Sequence, residues 1–395
     1  MSPARNTTSV HRISQRTQAL QPSGIRKFFD LLSSIDGVIS LGVGEPDYAT
    51  PWRLREVAIK SLEQGKTMYT SNLGTPELRQ AIAGYLDKAY GLNYDPATEV
   101  LITVGVSEAM DLAMRAVIDP GDEVIMPAPC YVAYPAVVAL SGGMPVVVPT
   151  TAEHDFEIEP SDIGNKITRN TRAVFIGYPA NPTGAVMPRH KLLGIAQLAE
   201  RYNLLVVSDE IYARLSYGDS HTCFASLPGM REHTLLLGGF SKAYAMTGWR
   251  VGYAAGPREI IAAMTKIHQY TTMCAPTMSQ VAALEAIKAG EDSVLEMVSD
   301  YNRRRLLMVN GLREIGLDCF EPKGAFYAFP CISSTGMTSE EFAEKLLQEE
   351  RVAVVPGTAF GECGEGYVRC CYATSVPDLE EALIRMKRFV AKCRK

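Results

Sequence analysis

The sequence lacks the features that mark several large classes of protein. It has no apolar run long enough to cross a bilayer and no apolar segment of the signal-peptide type near its N-terminus. Its net charge is only −5, which argues against a nucleic-acid or membrane-surface protein. The nine cysteines are scattered, with no Cys-x-x-Cys pair and no metal-ligand spacing. We therefore expect no metal site, no nucleic-acid partner and no membrane contact, and we expect reduced thiols in a cytoplasmic protein.

What the chain does have is length and apolar content. Its 395 residues, 47% of them hydrophobic, can bury large cores and are expected to form two domains, or one large domain with an appendage. Short apolar runs alternate with helical patterns, and the runs are predicted strands at residues 100–104, 123–126, 144–148, 173–178, 204–208, 234–237 and 251–255. Because these strands are apolar along their whole length, they indicate an α/β fold with a mostly parallel sheet covered by helices on both faces.

The two ends of the chain are predicted to be organised differently. After a helical stretch at residues 259–315, broken at Pro276, the predicted elements are short strands at 325–329, 353–355 and 367–371 and helices at 338–349 and 377–393. This mixture is typical of a smaller α+β unit, and we expect the N-terminal segment, with a helix at 26–36 and a strand at 38–41, to pack with it. The predicted domains are an N-terminal arm and part of the small domain (1–45), a large domain (46–315) and a small C-terminal domain (316–395).

Notable polar residues follow several of the predicted strands. In an open α/β sheet, ligands bind beyond the carboxyl ends of the strands. Gly105-Val106-Ser107 precedes a predicted helix at 108–118, whose free N–H groups suit a phosphate, although an ordinary capped helix is the more common reason for such a motif. Asn181 is held between two prolines, as in a fixed ligand contact or in a plain turn. Asp209 suits a protonated heterocyclic nitrogen, or equally the N-cap of a helix.

Two cationic residues stand out among apolar neighbours. Lys242 follows a predicted strand and two glycines, and burial there would lower its pKa and make it a nucleophilic amine able to form a Schiff base. A solvated surface lysine is the alternative. Arg369 lies on a predicted strand, where its guanidinium suits the carboxylate of a substrate or, alternatively, an internal salt bridge.

Taken together and in this order, these motifs resemble the class I/II aminotransferases of fold type I, which depend on pyridoxal 5′-phosphate. The resemblance runs from about residue 23 to the C-terminus, and its motifs are jointly specific although each is weak alone. The segments 24–28, 268–270 and 364–369 are similar to the bacterial aspartate and aromatic aminotransferases, including the type that acts on N-acetyl-diaminopimelate. The resemblance implies a large domain with a mostly parallel sheet of the seven-stranded type, a small domain from both chain ends, and a homodimer.

The resemblance also implies roles for individual residues. Lys242 is expected to hold the cofactor as a Schiff base and then to move a proton between the substrate α-carbon and the cofactor. Asp209 is expected to pair with the ring nitrogen, and Tyr212 and Asn181 to hydrogen-bond the phenolic oxygen. The other expected cofactor contacts are Val106, Ser107, Tyr131 stacked on the ring, Ser241, Arg250 and, from the neighbouring subunit, Tyr69. Gly44, Asn181 and Arg369 are expected to hold the substrate carboxylate. Gly239 departs from the pattern, because some members carry a phosphate-binding serine there.

The implied function is a two-step amino transfer. An L-amino acid, aspartate first and aromatic amino acids or alanine next, would give its amino group to a 2-oxo acid such as 2-oxoglutarate. N-acetyl-diaminopimelate is an alternative donor, and a C–S β-lyase or a cyclopropane-forming synthase is an alternative activity on the same fold. A non-enzymatic ligand sensor is disfavoured, because no helix-turn-helix extension precedes residue 23 and every catalytic position is filled. Arg26 and Lys27 are candidates for a second substrate carboxylate, although a solvated role is more typical of such residues.

Overall fold

The computed structural model describes residues 13–20, 36–218 and 221–393. The helices are α1 (Gln15–Ala19), α2 (Trp52–Glu63), α3 (Pro76–Tyr90), α4 (Gly105–Val117), α5 (Ala133–Leu140), α6 (Pro160–Gly164), α7 (Arg189–Tyr202), α8 (Arg258–Thr271), α9 (Thr277–Ala289), α10 (Glu291–Ile315), α11 (Ser339–Glu350) and α12 (Val376–Cys393). The strands are β1 (Ile39–Ser40), β2 (Val100–Thr103), β3 (Glu123–Ala128), β4 (Met144–Pro149), β5 (Thr171–Gly177), β6 (Leu205–Asp209), β7 (Thr234–Gly239), β8 (Gly252–Ala255), β9 (Tyr327–Ala328), β10 (Val352–Ala353), β11 (Val355–Pro356) and β12 (Val368–Cys371).

The large sheet has seven strands in the order β2-β8-β7-β6-β5-β3-β4. Strand β8 runs antiparallel to both of its neighbours, and every other pairing in the sheet is parallel. The mostly parallel α/β sheet expected from the sequence is therefore confirmed. One consequence is that the amino end of β8 lies at the same edge as the carboxyl ends of the other strands, with Gly252 opposite Gly239 at the end of β7.

Both faces of this sheet are buried except along the edge strand β4, which explains why its inner strands are apolar along their length. In β7, Leu236 packs into one core cluster, whereas Leu235 and Leu237 on either side pack into the cluster on the opposite face. In β2, Leu101 likewise packs into the cluster on one face, whereas Val100 and Ile102 pack into the cluster on the other. Alternate side chains of a strand point to opposite faces, so helices on both sides require an uninterrupted apolar run.

The C-terminal part of the chain forms a second, smaller set of strands. Strand β12 pairs antiparallel with both β11 and β9. Near the start of the described chain, β1 pairs in parallel with β10, so that Ile39 lies opposite Val352. Residues close to the N-terminus thus join the C-terminal strands, as the sequence suggested, while the domain boundaries at residues 45 and 315 stay a prediction.

Several predicted boundaries differ from the structure. The helix predicted at 108–118 begins three residues earlier, because Gly105 adopts a positive φ of 73° that turns the chain into α4 directly after β2. The Gly105-Val106-Ser107 motif is therefore the first helical turn and not a loop before it. The break at Pro276 is present, and Gly290 adds a second break between α9 and α10. The predicted helix at 26–36 falls almost entirely outside the described residues. Among the described helices, none is long and apolar enough to cross a membrane.

Candidate active site

A cavity of about 890 Å³ opens at the carboxyl edge of the large sheet. Each of the residues expected at the site lines it, apart from Tyr69: Gly44, Val106, Ser107, Tyr131, Asn181, Asp209, Tyr212, Ser241, Lys242, Arg250 and Arg369. The large sheet explains most of this convergence, because these residues lie at or after the carboxyl ends of its parallel strands or, for Arg250, before the antiparallel β8. Gly44 instead follows β1, which pairs with β10 in a separate sheet. Arg369 lies on β12, which belongs to the smaller set of strands, and lines the cavity from there.

Lys242 lies in the turn after β7 and reaches across the cavity wall to the loop after β1. Its Nζ donates a hydrogen bond to the carbonyl oxygen of Gly44 at 2.6 Å. Burial lowers the pKa of Lys242 to about 8, and the nearby charges of Arg369 and Arg250 act in the same direction. The amine is therefore neutral in a substantial fraction of molecules near pH 8, which is what a nucleophilic lysine requires.

Asp209 is the last residue of β6, and its carboxylate is buried. Its Oδ2 accepts a hydrogen bond from the Tyr134 hydroxyl at 2.9 Å, and its Oδ1 accepts one from the Ile211 backbone N–H at 3.1 Å. Burial raises the pKa of Asp209 to about 6, which these hydrogen bonds partly counteract. A buried carboxylate that is costly to ionise is stabilised by a cation placed against it.

Tyr134 was missed by the sequence interpretation. It lies in the first turn of α5, and its hydroxyl occupies the space that any side chain at position 177 would need, so that Gly177 is required there. The one indication in the sequence was that Tyr134, an aromatic residue with a hydroxyl group, comes three residues after Tyr131, the residue predicted to stack on the ring. Nothing in the sequence indicated that it would contact Asp209, 75 residues away.

The first turn of α4 forms one end of the cavity. Val106 and Ser107 line it, and the side chain of the N-cap residue Val104 makes no capping hydrogen bond, while the Glu108 carboxylate accepts one from the Val104 backbone N–H at 2.6 Å. The Arg250 guanidinium lies so close to Gly105 that a Cβ on this glycine would come within 2.7 Å of it. Free N–H groups, a helix dipole and an arginine together favour a bound phosphate.

Arg369 is a buried cation with neutral partners, its residue being only 2% exposed. Its guanidinium donates hydrogen bonds to Asn181 Oδ1 at 2.9 Å and to the Gly42 carbonyl oxygen at 2.6 Å. The guanidinium carbon lies 4.4 Å from the centre of the Tyr327 ring. No described carboxylate lies within ion-pair distance of it, so the internal salt bridge considered from the sequence is absent from the described part of the chain. Its Nε is buried and also lacks a partner among the described residues.

Tyr212 and Tyr327 share a hydrogen bond between their hydroxyl groups at 2.7 Å. Burial raises the pKa of both phenols, so both are neutral donors at neutral pH. Tyr327 was treated in the sequence only as part of a short predicted strand, and its place in the cavity depends on the fold of the C-terminal strands.

Tyr69 does not line this cavity. Its side chain is 78% exposed in the loop before α3, and the side chains of Met68, Tyr270 and Met273 are exposed as well. The loop is held to the segment 273–277 by hydrogen bonds from Thr277 to the Met68 carbonyl oxygen and from Asn72 to the Met273 carbonyl oxygen. We call these four exposed side chains the Tyr69 face. Arg26 and Lys27 lie outside the described residues.

Comparison with known proteins agrees with this geometry. A sequence model described as "Aminotransferase class I and II" matches residues 36–386. The chain belongs to the class I and II aminotransferases. It is accordingly a transaminase, an enzyme that moves an amino group between an amino acid and a 2-oxo acid. Members of this family generally use pyridoxal 5′-phosphate.

Individual aminotransferases resemble the chain along nearly its whole length. A putative aminotransferase of Bacillus subtilis, YugH, is 54% identical over 96% of this chain and 98% of its own. The aspartate aminotransferase of Pyrococcus abyssi is 45% identical over 95% and 97%. A probable N-acetyl-LL-diaminopimelate aminotransferase of Bacillus subtilis is 42% identical over 97% of both chains. The solved structure of an aromatic aminotransferase from Pyrococcus horikoshii is 44% identical, with a TM-score of 0.89 over 93% of this chain and 99% of that one.

The residues of the cavity fit the cofactor of this family. A buried amine, a buried carboxylate and the first turn of α4 with an arginine beside it line one space. These groups suit, respectively, an aldehyde, a ring nitrogen and a phosphate. The donor set therefore matches the three polar parts of pyridoxal 5′-phosphate.

Proposed function

We propose that this transaminase holds pyridoxal 5′-phosphate on Lys242 and carries an amino group from an L-amino acid to a 2-oxo acid such as 2-oxoglutarate. The observation that carries the proposal is the buried guanidinium of Arg369, which faces the same cavity as the Lys242 amine and has no carboxylate partner among the described residues. A buried cation without a counter-ion is costly, and the carboxylate of an amino-acid substrate supplies one. The roles below follow from this arrangement.

The cofactor, when bound, supplies an electron sink for the carbanion formed at the substrate α-carbon. Lys242 has two tasks in the proposal. Its neutral amine would hold the aldehyde of the cofactor, and Nζ, once free of it, would take the proton from the substrate α-carbon and deliver it to the cofactor. The lowered pKa of Lys242, about 8, suits both tasks, because a general base works best when its pKa is close to the working pH.

Asp209 is proposed to keep the ring nitrogen of the cofactor protonated. The Tyr134 hydroxyl and the Ile211 N–H fix the orientation of the carboxylate, so little motion is needed when the cofactor binds. Tyr212 and Asn181 line the cavity and are proposed to donate to the phenolic oxygen, which Tyr212 can do when Tyr327 is the donor in the hydrogen bond between the two hydroxyl groups. Ser107, Ser241 and Arg250, with the N–H groups of α4, are proposed to bind the phosphate.

Arg369 is proposed to bind the substrate α-carboxylate, helped by the loop that contains Gly44. The Gly42 carbonyl oxygen and Asn181 hold two guanidinium nitrogens in place, and stacking against Tyr327 fixes the plane of the group. Such fixed geometry suits a planar carboxylate.

We also propose that a second copy of the chain covers the Tyr69 face. Large apolar side chains that cluster on a surface mark an interaction site, and family members are typically homodimers. In the proposed dimer, Tyr69 reaches the phosphate of the neighbouring subunit's cofactor. The cytoplasmic location stays a proposal, supported by nine cysteines that all are free.

We propose aspartate as the preferred amino donor, in line with the aspartate aminotransferase among the relatives. Among the described residues, the cations that line the cavity are Lys242, Arg250 and Arg369, so the second carboxylate of aspartate would need a cation from outside them. Aromatic amino acids, alanine and N-acetyl-diaminopimelate are the other donors to compare.

The decisive experiment is a donor panel in single half-reactions. The cofactor-loaded enzyme is mixed with each amino acid, and the loss of the visible band and gain of the pyridoxamine band are followed before 2-oxoglutarate is added. Return of the visible band after 2-oxoglutarate is added, which indicates that the amino group has passed to this acceptor, supports the proposal. Release of ammonia and a 2-oxo acid without any 2-oxo acid acceptor would point instead to a β-lyase, and a cyclic amino acid product to a cyclopropane-forming synthase.

A further inference from the structure

A second buried carboxylate lies directly behind Asp209. Glu210 is the next residue, but adjacent side chains point to opposite sides, and Glu210 lines a small internal cavity instead of the large one. Its Oε1 accepts a hydrogen bond from the Ser208 hydroxyl at 2.8 Å, and its Oε2 is in contact with Nε2 of His221. The side chains of Glu210 and His221 are only 6% and 7% exposed, so the two form a buried pair.

We propose that His221 is a positioning residue for the cofactor site: as a cation it neutralises Glu210 and thereby leaves Asp209 free to carry the negative charge that faces the cofactor ring. This inference rests on the proposed function, because Asp209 has that task only if the cofactor binds. His221 itself touches neither cofactor nor substrate in this proposal.

The argument begins with two carboxylates on consecutive residues. Like charges that are close and buried oppose each other's ionisation, and the Glu210 charge adds to the burial that raises the pKa of Asp209. If Glu210 carried an uncompensated charge, the cost of ionising Asp209 would increase further. A cation in contact with Glu210 removes this cost without approaching the cofactor cavity.

His221 is suited to be that cation. Burial alone lowers the pKa of His221, but the Glu210 carboxylate more than offsets this effect and the pKa is raised above the ordinary value. A protonated His221 and an ionised Glu210 in this contact form an ion pair with no net charge. Because a histidine titrates near neutral pH, its protonation is also directly measurable.

The other titratable groups that face Glu210 do not supply this charge. They are Tyr85 and Tyr90 on α3, Tyr253 on β8, and Arg214, Cys223 and Tyr244. Burial raises the pKa of Tyr90, Cys223 and Tyr253, so these groups are neutral near pH 7. Arg214 donates to Glu291 at 2.6 Å and is thus paired elsewhere. Among the described residues, His221 is therefore the cation in contact with Glu210.

The first test needs no cofactor and no activity. The cofactor-free wild-type protein is labelled with ¹⁵N-histidine, and the His221 ring signals are assigned by their loss in His221→Gln. We expect both ring nitrogens of His221 to carry protons at pH 7. A singly protonated His221 at pH 7 would overturn the proposal, whatever the variants do.

The second test is a double-mutant cycle on the equilibrium dissociation constant of pyridoxal 5′-phosphate. Glutamine at position 221 keeps a hydrogen-bond donor and removes the charge, so His221→Gln is expected to weaken binding about tenfold, the size of a one-unit pKa change. In the Glu210→Gln/His221→Gln double variant the uncompensated carboxylate is gone, and binding is expected to return to within about threefold of wild type. His233→Gln is the matched control, since His233 contacts only the Leu204 carbonyl oxygen among the described groups.

Two results would contradict the role of His221. One is wild-type affinity in His221→Gln, and the other is a double variant that binds no better than the single one, which would indicate a merely structural histidine. Absence of cofactor binding in the wild-type protein would instead refute the proposed function, and this inference with it. The outcomes are thus distinguishable by the wild-type measurement alone.

Discussion

Replacing Lys242 by methionine is expected to stabilise the cofactor-free protein while abolishing its turnover. Burial lowers the pKa of Lys242 from an ordinary 10.5 to about 8, so the charged form is disfavoured in the folded state. A shift of that size corresponds to about 3 kcal/mol of free energy of unfolding, an upper value because the amine faces an open cavity. Methionine loses the hydrogen bond to the Gly44 carbonyl oxygen, at a cost of about 1 kcal/mol, which leaves an expected gain of about 2 kcal/mol.

The sign of this effect can be checked by varying the pH. The unfavourable contribution of Lys242 is complete below pH 8, where the amine is charged in both the folded and the unfolded state. It declines as the pH rises from about 8 towards 10.5, because the folded state then holds a neutral amine while the unfolded state releases its proton. The advantage of the methionine variant should therefore be largest near pH 7 and should disappear above pH 10.5.

The assay is urea unfolding of the cofactor-free proteins at equal concentration, since the proposed dimer would make stability depend on concentration. Lys266→Met, at an exposed position on α8, is the control and is expected to change stability by less than about 0.5 kcal/mol at either pH. Equal or lower stability of Lys242→Met at pH 7, or a difference that does not change with pH, would refute the argument from burial. Retained turnover in this variant would refute the role of Lys242 altogether.

Three further predictions concern the same site. Asp209→Ala should lower the rate of each half-reaction by orders of magnitude while cofactor still binds, and a near-normal rate measured by stopped-flow absorbance would contradict its pairing with the ring. Arg369→Ala should cost about 3 kcal/mol of substrate binding, because the substrate carboxylate loses its buried partner. A normal KM would exclude that role. Tyr69→Phe should weaken cofactor binding. In mixed dimers of Tyr69→Phe with Lys242→Ala subunits, cofactor binding at the Lys242 site should be close to that of wild type if Tyr69 acts across the interface, and weak if it acts within its own subunit.

Much of the fold and site was predictable from local patterns. Apolar strands alternating with helices are required whenever both faces of a sheet are covered, so the seven strands of the large sheet were visible in the sequence. Chemically distinctive residues such as Asp209 and Lys242 lie at the end of such strands or within a few residues of it. Because parallel strands end at one edge, their order in the chain already implied that they would meet.

Other features depended on contacts between distant segments. The hydroxyl of Tyr134 reaches Asp209, and that of Tyr327 reaches Tyr212, across 75 and 115 residues respectively. No periodicity or spacing encodes such contacts. The early start of α4 was missed for a local reason, since Gly105 can turn the chain at a φ that other residues avoid.

The amino-acid sequence by itself determined which segments form the large sheet, the edge of that sheet where the cavity opens, and the family, because these follow from hydrophobic periodicity and from residues close together in the chain. Only the tertiary structure decided the state of the charges. Arg369 has two neutral partners, and the Glu210 carboxylate contacts His221 behind the cavity. Burial and the nearest neighbour set the charge of an ionisable group, and both are properties of the folded chain.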